Sequence, residues 1–351
     1  MVKYVIFRAN GRLGNALFRY FACILFSIKH GHQFILEEDC NIDQLIDYKF
    51  YKGVDHIGDD IYFLNNHNVD KLKEYANKNN EIMCFNTIGF MKNSIIIHNL
   101  KSNEYINQYN DHGLYVKNTV IIDDNNFIDI LNDYNLKNYN LLMVGYFQFD
   151  FIYNYYKKDI LSFIHNNKDN HFIKTATYNR NLVDNHQKML IANIINDIQL
   201  DEKKMYDLVI HIRLGDFNGT DDFIEYQYYE KLFEKIDFSN KRCAIITQKP
   251  EYENDILFLN NCILWFNSNN ITINLEYNDL ITDFNIIKSA KEVVCSMSTL
   301  SWSACYLSKI IEKCYMPNYN FDHLDRNTYL KNPIKNTYLY DVKSTKNSNY
   351  K

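Results

Sequence analysis

The sequence predicts an α/β protein built on doubly wound parallel sheets, and two stretches of the chain support this prediction. At the amino end, a strand over residues 3–7, a tight loop, a helix that stops at Gly31 and a strand over 33–36 form a β-loop-α-β opening. From about residue 200, short apolar strands alternate with helical patterns. The 351 residues are enough for two such domains.

The sequence signals for the other helices and strands differ in strength along the chain. Residues 40–140 are polar and poorly periodic, which predicts mixed short elements and long loops. The other predicted strands cover residues 141–144, 208–212, 243–247, 263–266 and 292–295. The other helical patterns cover residues 153–164, 189–198, 226–236, 279–289 and 300–311.

A change of pattern near residue 200 predicts a domain boundary. We expect an amino-terminal Rossmann-like domain over residues 1–200 and a carboxy-terminal one over residues 201–342. The polar tail over residues 343–351 is expected to fray, because it offers little apolar surface to bury.

The most informative segment is His-Ile-Arg-Leu-Gly-Asp-Phe over residues 211–217, which follows an apolar strand. Alternate residues of a strand share a face, so His211 and Arg213 are expected side by side, and Gly215 permits a sharp bend. Ligands bind at the carboxyl ends of such strands, and a guanidinium suits a pyrophosphate. The alternative is structural: Arg213 bonds carbonyl groups and Asp216 caps the turn.

Two further segments place backbone N–H groups or hydroxyls at a helix start. Gly11 and Gly14 lie in a strand-to-helix loop, which either attracts an anion or makes a tight turn with close helix packing. Ser298 and Thr299 open the helix after the strand over 292–295, where they cap it or grip a phosphate. Asp283 is either a surface carboxylate or a partner for a base.

Composition excludes several classes of function. The net charge of −5 argues against a nucleic-acid-binding protein, and no apolar run has membrane-spanning length. Without a signal-peptide pattern, a cytoplasmic location is expected. The eight cysteines form no Cys-x-x-Cys pair and are expected to be buried free thiols. With no Asp-x-Asp, His-Glu-x-x-His or P-loop string, no metal site and no cofactor are predicted, and Arg213 would supply the positive charge at a bound nucleotide.

Four segments in this order resemble glycosyltransferase family 11, the α-1,2-fucosyltransferases, in their soluble bacterial or viral form. Residues 11–20 are similar to the family's Gly-Gly-Leu-Gly-Asn-Gln-Met-Phe-Gln-Tyr, and residues 145–148 to its Gly-Tyr-aromatic-Gln. Residues 211–217 are similar to His-x-Arg-Arg-Gly-Asp-Tyr. Residues 283–307, from Asp283 to Leu307, are similar to the last motif, with 298–302 in the place of Ser-Ser-Phe-Ser-Trp. The chain departs from the family at residues 247–249, which are Thr-Gln-Lys instead of Ser-Asp-Asp.

The resemblance implies a GT-B-like fold of two facing Rossmann-like domains with a cleft between them. Residues 1–200 would lie on the acceptor side, and residues 201–342 would bind the nucleotide sugar. The implied reaction is an inverting, metal-independent transfer of fucose from GDP-fucose to a sugar hydroxyl of a glycan, with no nucleic-acid partner. The implied catalytic residues are Arg213, Asn15 and Asp216, and the implied donor-binding residues are His211, Arg213, Asp283, Ser298, Thr299, Gly11 and Gly14.

Two alternatives stay open at this point. The same fold could use another nucleotide sugar, such as a rhamnosyl or other hexosyl donor, because the acids of the Ser-Asp-Asp segment are missing. The chain could also be a catalytically silent glycan-binding or nucleotide-binding protein. The retained His211, Arg213 and Asn15 argue against the silent protein.

Overall fold

The computed structural model describes residues 3–7, 13–36, 48–55, 58–79, 82–93, 101–102, 112–166, 200–215, 220, 223–319 and 330–342. The chain divides into two compact units. The first comprises Met1–Arg8 and Cys23–Gly145, and the second comprises Ala9–Ala22 and Tyr146–Lys351. The units therefore change after Gly145 rather than near the expected residue 200, and the amino half of the first helix belongs to the second unit.

Up to Gly145 the chain consists of short elements. In chain order they are β1 (Tyr4–Phe7), α1 (Leu13–His30), β2 (Gln33–Leu36), β3 (Tyr48–Lys52), β4 (Val54–Asp55), β5 (Asp60–Phe63), α2 (Val69–Lys78), β6 (Cys84–Asn86), β7 (Phe90–Lys92), β8 (Lys101–Ser102), β9 (Gly113–Lys117), β10 (Thr119–Ile122), α3 (Phe127–Ile130), a 3₁₀ turn (Tyr134–Asn138) and β11 (Asn140–Met143).

These strands form two main sheets. A four-stranded parallel sheet has the order β10-β11-β1-β2, and a five-stranded antiparallel sheet has the order β3-β9-β6-β7-β5. Leu72, Phe85 and Met91 are fully buried in the core that the antiparallel sheet shares with α2. The short elements predicted for residues 40–140 are confirmed, whereas the assembly of five of their strands into one antiparallel sheet was not predicted.

After Gly145 the chain alternates between helices and strands. The elements are α4 (Asp150–Tyr155), α5 (Lys157–Asn166), a 3₁₀ turn (Glu202–Lys204), β12 (Leu208–His211), α6 (Tyr226–Phe233), β13 (Cys243–Ile246), α7 (Glu253–Ser268), β14 (Ile273–Glu276), α8 (Leu280–Ser289), β15 (Glu292–Val294), α9 (Thr299–Leu307), β16 (Lys313–Tyr319) and β17 (Thr337–Val342).

The six strands from β12 onward form one parallel sheet in the order β14-β13-β12-β15-β16-β17. Counted from β12, this is the Rossmann order 3-2-1-4-5-6, which reverses between β12 and β15. The predicted α/β class is confirmed in that each of the two units carries a parallel Rossmann-like sheet. None of the helices in the described ranges is long and apolar enough to cross a bilayer.

One predicted strand was wrong. Residues 263–266 lie inside α7, and the edge strand β14 follows that helix. The apolar run looked like a strand, but Phe258, Cys262 and Phe266 are buried at four-residue spacing while Leu264 is exposed. This is the one-sided burial of an amphipathic helix.

Smaller differences concern the bounds of elements. The helix predicted over residues 153–164 is two helices, α4 and α5, and the last predicted helix ends at Leu307 rather than at residue 311. The strands β16 and β17 were not predicted. The helical pattern over residues 189–198 and the tail over 343–351 lie outside the described residues.

Candidate active site

Two buried polar residues meet where the strand order reverses. His211 is the last residue of β12, and Ser296 follows the neighbouring strand β15 by two residues. Because β12 and β15 pair in parallel register, their carboxyl ends lie at the same edge. The Ser296 hydroxyl lies 2.9 Å from His211 Nδ1, and both residues are buried. The switch point of the sheet is therefore lined by an oriented imidazole.

The charge state of His211 follows from its surroundings. Burial and the neighbouring positive charge of Arg213 lower its pKa to about 3, so the ring is neutral at physiological pH. Arg213 lies two residues beyond the end of β12 and is half-buried. The predicted proximity of the two side chains is supported by this electrostatic effect, although only His211 belongs to the strand.

The turn after Arg213 depends on a carboxylate that sequence analysis missed. Gly215 has a left-handed φ of 68°, and its N–H donates to Asp255 Oδ1 at 3.3 Å. Asp255 lies in the first turn of α7 and is fully buried. The sequence predicted a strand over residues 263–266 and no helix start near Asp255, so no local pattern marked this carboxylate. Asp216 and Gly11, both predicted site residues, lie outside the described residues.

At the start of α9, two predicted residues make structural contacts. The Ser298 hydroxyl accepts a hydrogen bond from Leu300 N at 3.2 Å and so caps the helix. A Cβ atom added at Gly14 would lie 2.1 Å from Thr299 Oγ1 and 2.7 Å from Leu300 N. Gly14 therefore permits the close packing of α1 on the first turn of α9, and it brings two of the predicted segments together.

Gln148, from the predicted segment over residues 145–148, contacts the amino half of α1. Gln148 Nε2 donates to Asn15 Oδ1 at 3.1 Å, across 133 positions of sequence. One helical turn further along α1, the ring of Phe18 lies 4.8 Å from that of Trp302, centroid to centroid. The amino half of α1, Gln148 and α9 thus form one packed group within the second unit.

A separate polar group forms beyond the end of the edge strand β14. Asn278 Nδ2 donates to Asp283 Oδ1 and to Glu276 Oε2, both at 3.1 Å. Burial, with smaller effects of the acids Asp279 and Glu276, raises the pKa of Asp283 to about 7. Its carboxyl group therefore titrates near neutrality, which the sequence did not indicate.

Between these two groups lies Thr247, directly after β13. Its hydroxyl is buried and has no hydrogen-bond partner in the described part of the chain. Leaving such a group unpaired costs about 1–3 kcal/mol, so a ligand that pairs with it is favoured. In the sequence, Thr247 stands out as a departure from the family pattern rather than as a site residue.

No protein-family model and no curated protein matches the chain. Among solved structures, the chain is similar to a mutant of Arabidopsis thaliana FUT1 in complex with GDP. The identity is 12%, the TM-score is 0.45, and the match covers 90% of this chain and 70% of that one.

Proposed function

We propose that the protein is an inverting glycosyltransferase that moves fucose from GDP-fucose to a hydroxyl of a glycan acceptor. The observation that carries this proposal is the placement of Arg213 beside a buried, neutral His211, at the switch point of a sheet in Rossmann order. Nucleotides bind at such edges, and a guanidinium there matches a diphosphate.

Arg213 is proposed to act on the leaving group. Breaking the bond between sugar and phosphate leaves a GDP anion, and a preorganised positive charge stabilises that anion most in the transition state. The N–H groups at the start of α9, beside Ser298 and Thr299, would add positive potential for the same phosphates. Arg213 and the helix N–H groups would together stabilise the phosphate charge, so no divalent ion is required.

His211 is proposed to orient the donor rather than to move a proton. With a pKa of about 3, His211 is a poor base at neutral pH. Its proposed role is therefore to hold the donor by a fixed hydrogen bond. Because Ser296 engages Nδ1, a bound ligand would meet the Nε2 atom. Thr247 would give its unpaired hydroxyl to the same ligand.

The acceptor hydroxyl needs a base and a positioning group. Asp216 is the proposed base, since it follows the Gly215 turn that Asp255 holds. Asn15, which Gln148 holds by its side-chain amide, is proposed to face the reacting sugar.

The acids Asp283 and Glu276 favour guanine as the base of the nucleotide. The Watson–Crick edge of guanine presents two adjacent N–H donors, which a carboxylate accepts as a pair. Asp283 and Glu276 share the Asn278 amide at the edge of the sheet, so acceptor oxygens cluster there. Uracil offers one donor between two acceptors and would match these oxygens less well.

A panel of nucleotide sugars tests the proposal. The full-length protein is incubated with GDP-fucose, GDP-mannose, UDP-sugars and dTDP-sugars and a mixture of glycan acceptors, and nucleotide release is measured. We expect GDP from GDP-fucose, with a fucosylated product. Release of UDP or dTDP alone would show that the donor is another nucleotide sugar. Tight GDP binding without turnover of any donor would favour the silent binding protein.

A further inference from the structure

Three cysteines of the second unit bring their sulfur atoms into one triangle. The sulfur of Cys295 lies 3.7 Å from that of Cys305 and 3.7 Å from that of Cys314, and the last two are 3.8 Å apart. They come from three elements: Cys295 directly follows β15, Cys305 lies in α9, and Cys314 lies in β16. All three residues have no exposed surface.

The size of this triangle matches a metal site. The centre of a triangle with these edges is about 2.2 Å from each sulfur, close to the zinc–thiolate bond length of about 2.3 Å. A zinc ion slightly above the plane of the sulfurs reaches its bond length, and a copper(I) ion fits within the plane. Thiolate ligands select these soft ions over magnesium or calcium.

The surroundings also suit a bound cation. Three thiolates carry three negative charges, and a divalent ion alone leaves one of them uncompensated. The ammonium of Lys157 acts electrostatically on the Cys305 sulfur, so it would balance that charge. The Ser301 hydroxyl, which donates to the Ser298 carbonyl oxygen at 3.2 Å, also interacts with the Cys295 sulfur and so supplies an oxygen beside the triangle.

We propose that Cys295, Cys305 and Cys314 bind one thiophilic metal ion, Zn²⁺ or Cu⁺, as a structural site. The ion would tie the end of β15 to α9 and β16. Ser296, which orients His211, is the next residue after Cys295, and α9 carries Ser298 at its start. The site would therefore hold the platform of the switch point rigid, and the proposal does not depend on the function proposed above.

Elemental analysis of the purified full-length protein tests the proposal. We expect one zinc or copper ion per chain after gel filtration, and the element found distinguishes the two ions. The Cys305→Ser variant is expected to lose the metal and to melt at a lower temperature. The matched control is Cys262→Ser, which replaces a fully buried helical cysteine of α7 and is expected to retain the metal.

A second measurement on the native sequence covers the case in which Cys305→Ser fails to fold. The metal is removed with a chelator and cobalt(II) is added. Intense sulfur-to-cobalt charge-transfer absorption, with one cobalt per chain, supports three-thiolate ligation. A metal-free protein that gives no such absorption, with its thiols either all reactive after denaturation or two of them joined in a disulfide, would overturn the proposal. So would equal metal loss in the Cys262→Ser control.

Discussion

The polar residues at the two ends of the six-stranded sheet differ in burial and in pairing. At the amino end, charged residues pair with one another near the surface. Lys291 Nζ lies 2.9 Å from Asp207 Oδ1, and Lys241 pairs with Glu292. The exposed guanidinium of Arg242 donates to the Glu202 carbonyl oxygen at 2.8 Å.

At the carboxyl end, the polar groups are buried and less completely paired. His211 is kept neutral, the Thr247 hydroxyl has no partner in the described chain, and Asp283 has a raised pKa. The same strands supply both ends, so strand geometry is not the cause. Buried polar groups cost free energy, whereas exposed pairs cost little and contribute little. We infer that the carboxyl end retains this cost for ligand binding.

The largest expected effect compares one arginine at each end. Arg213→Ala should lower the proposed transferase activity by about 10²–10³-fold, since it removes a charge that acts on the leaving group. Arg242→Ala is the matched control and should leave activity unchanged, because its guanidinium bonds the carbonyl oxygens of Glu202 and Lys203 and lies over the Tyr206 ring, all at the amino end of the sheet. Steady-state kinetics decide the matter, with circular dichroism to confirm folding. Equal activity in both variants would remove Arg213 from the mechanism.

The second largest effect is expected from a change in the packing at the start of α9. Gly14→Ala should destabilise the protein by about 1–3 kcal/mol, because the new methyl group meets Thr299 Oγ1 and the backbone nitrogen of Leu300. In an unhindered helix the same change is stabilising by about 1 kcal/mol, so even the sign is informative. Urea denaturation gives the free energy of unfolding. A more stable variant would show that α1 and α9 do not approach as described.

The third prediction concerns the pH dependence of stability. The folded-state pKa of Asp283 is raised from 3.8 to about 7, so folding opposes its ionisation. The resulting cost in stability appears as the pH rises above about 4 and is complete above about 7. Asp283→Asn removes it, so the variant should gain more stability at pH 8 than at pH 5. Melting curves at several pH values test this, and a gain that does not vary with pH would contradict the raised pKa.

The smallest expected effect lies at the amino end. Lys291→Ala breaks the ion pair with Asp207, but the lysine side chain is 58% exposed and water screens the pair. The pKa of Asp207, which this hydrogen bond holds below its usual value, should rise, while the unfolding midpoint should hardly move. NMR titration and urea denaturation measure the two quantities. A large loss of stability would contradict the inference that ion pairs at the amino end contribute little to stability.

Several parts of the site were predictable because their signals are local. The strand ending at His211 was evident from an apolar run, and the helix start at Ser298 from a hydroxyl in the capping position. The role of Gly14 in close packing was one of two alternatives, and contact with Thr299 decided for it. The hydrogen bonds of His211 to Ser296 and of Gly215 to Asp255 join residues 85 and 40 positions apart. No local pattern reports such pairs.

The sequence by itself determined the alternation of strands and helices and the identity of the polar residues after the strands. Apolar periodicity and turn residues act over a few positions, so they are readable without the fold. Only the tertiary structure decided the strand order, the helical state of residues 263–266 and the meeting of Cys295, Cys305 and Cys314. These depend on which distant segments share a core, and that choice is made by packing over the whole unit.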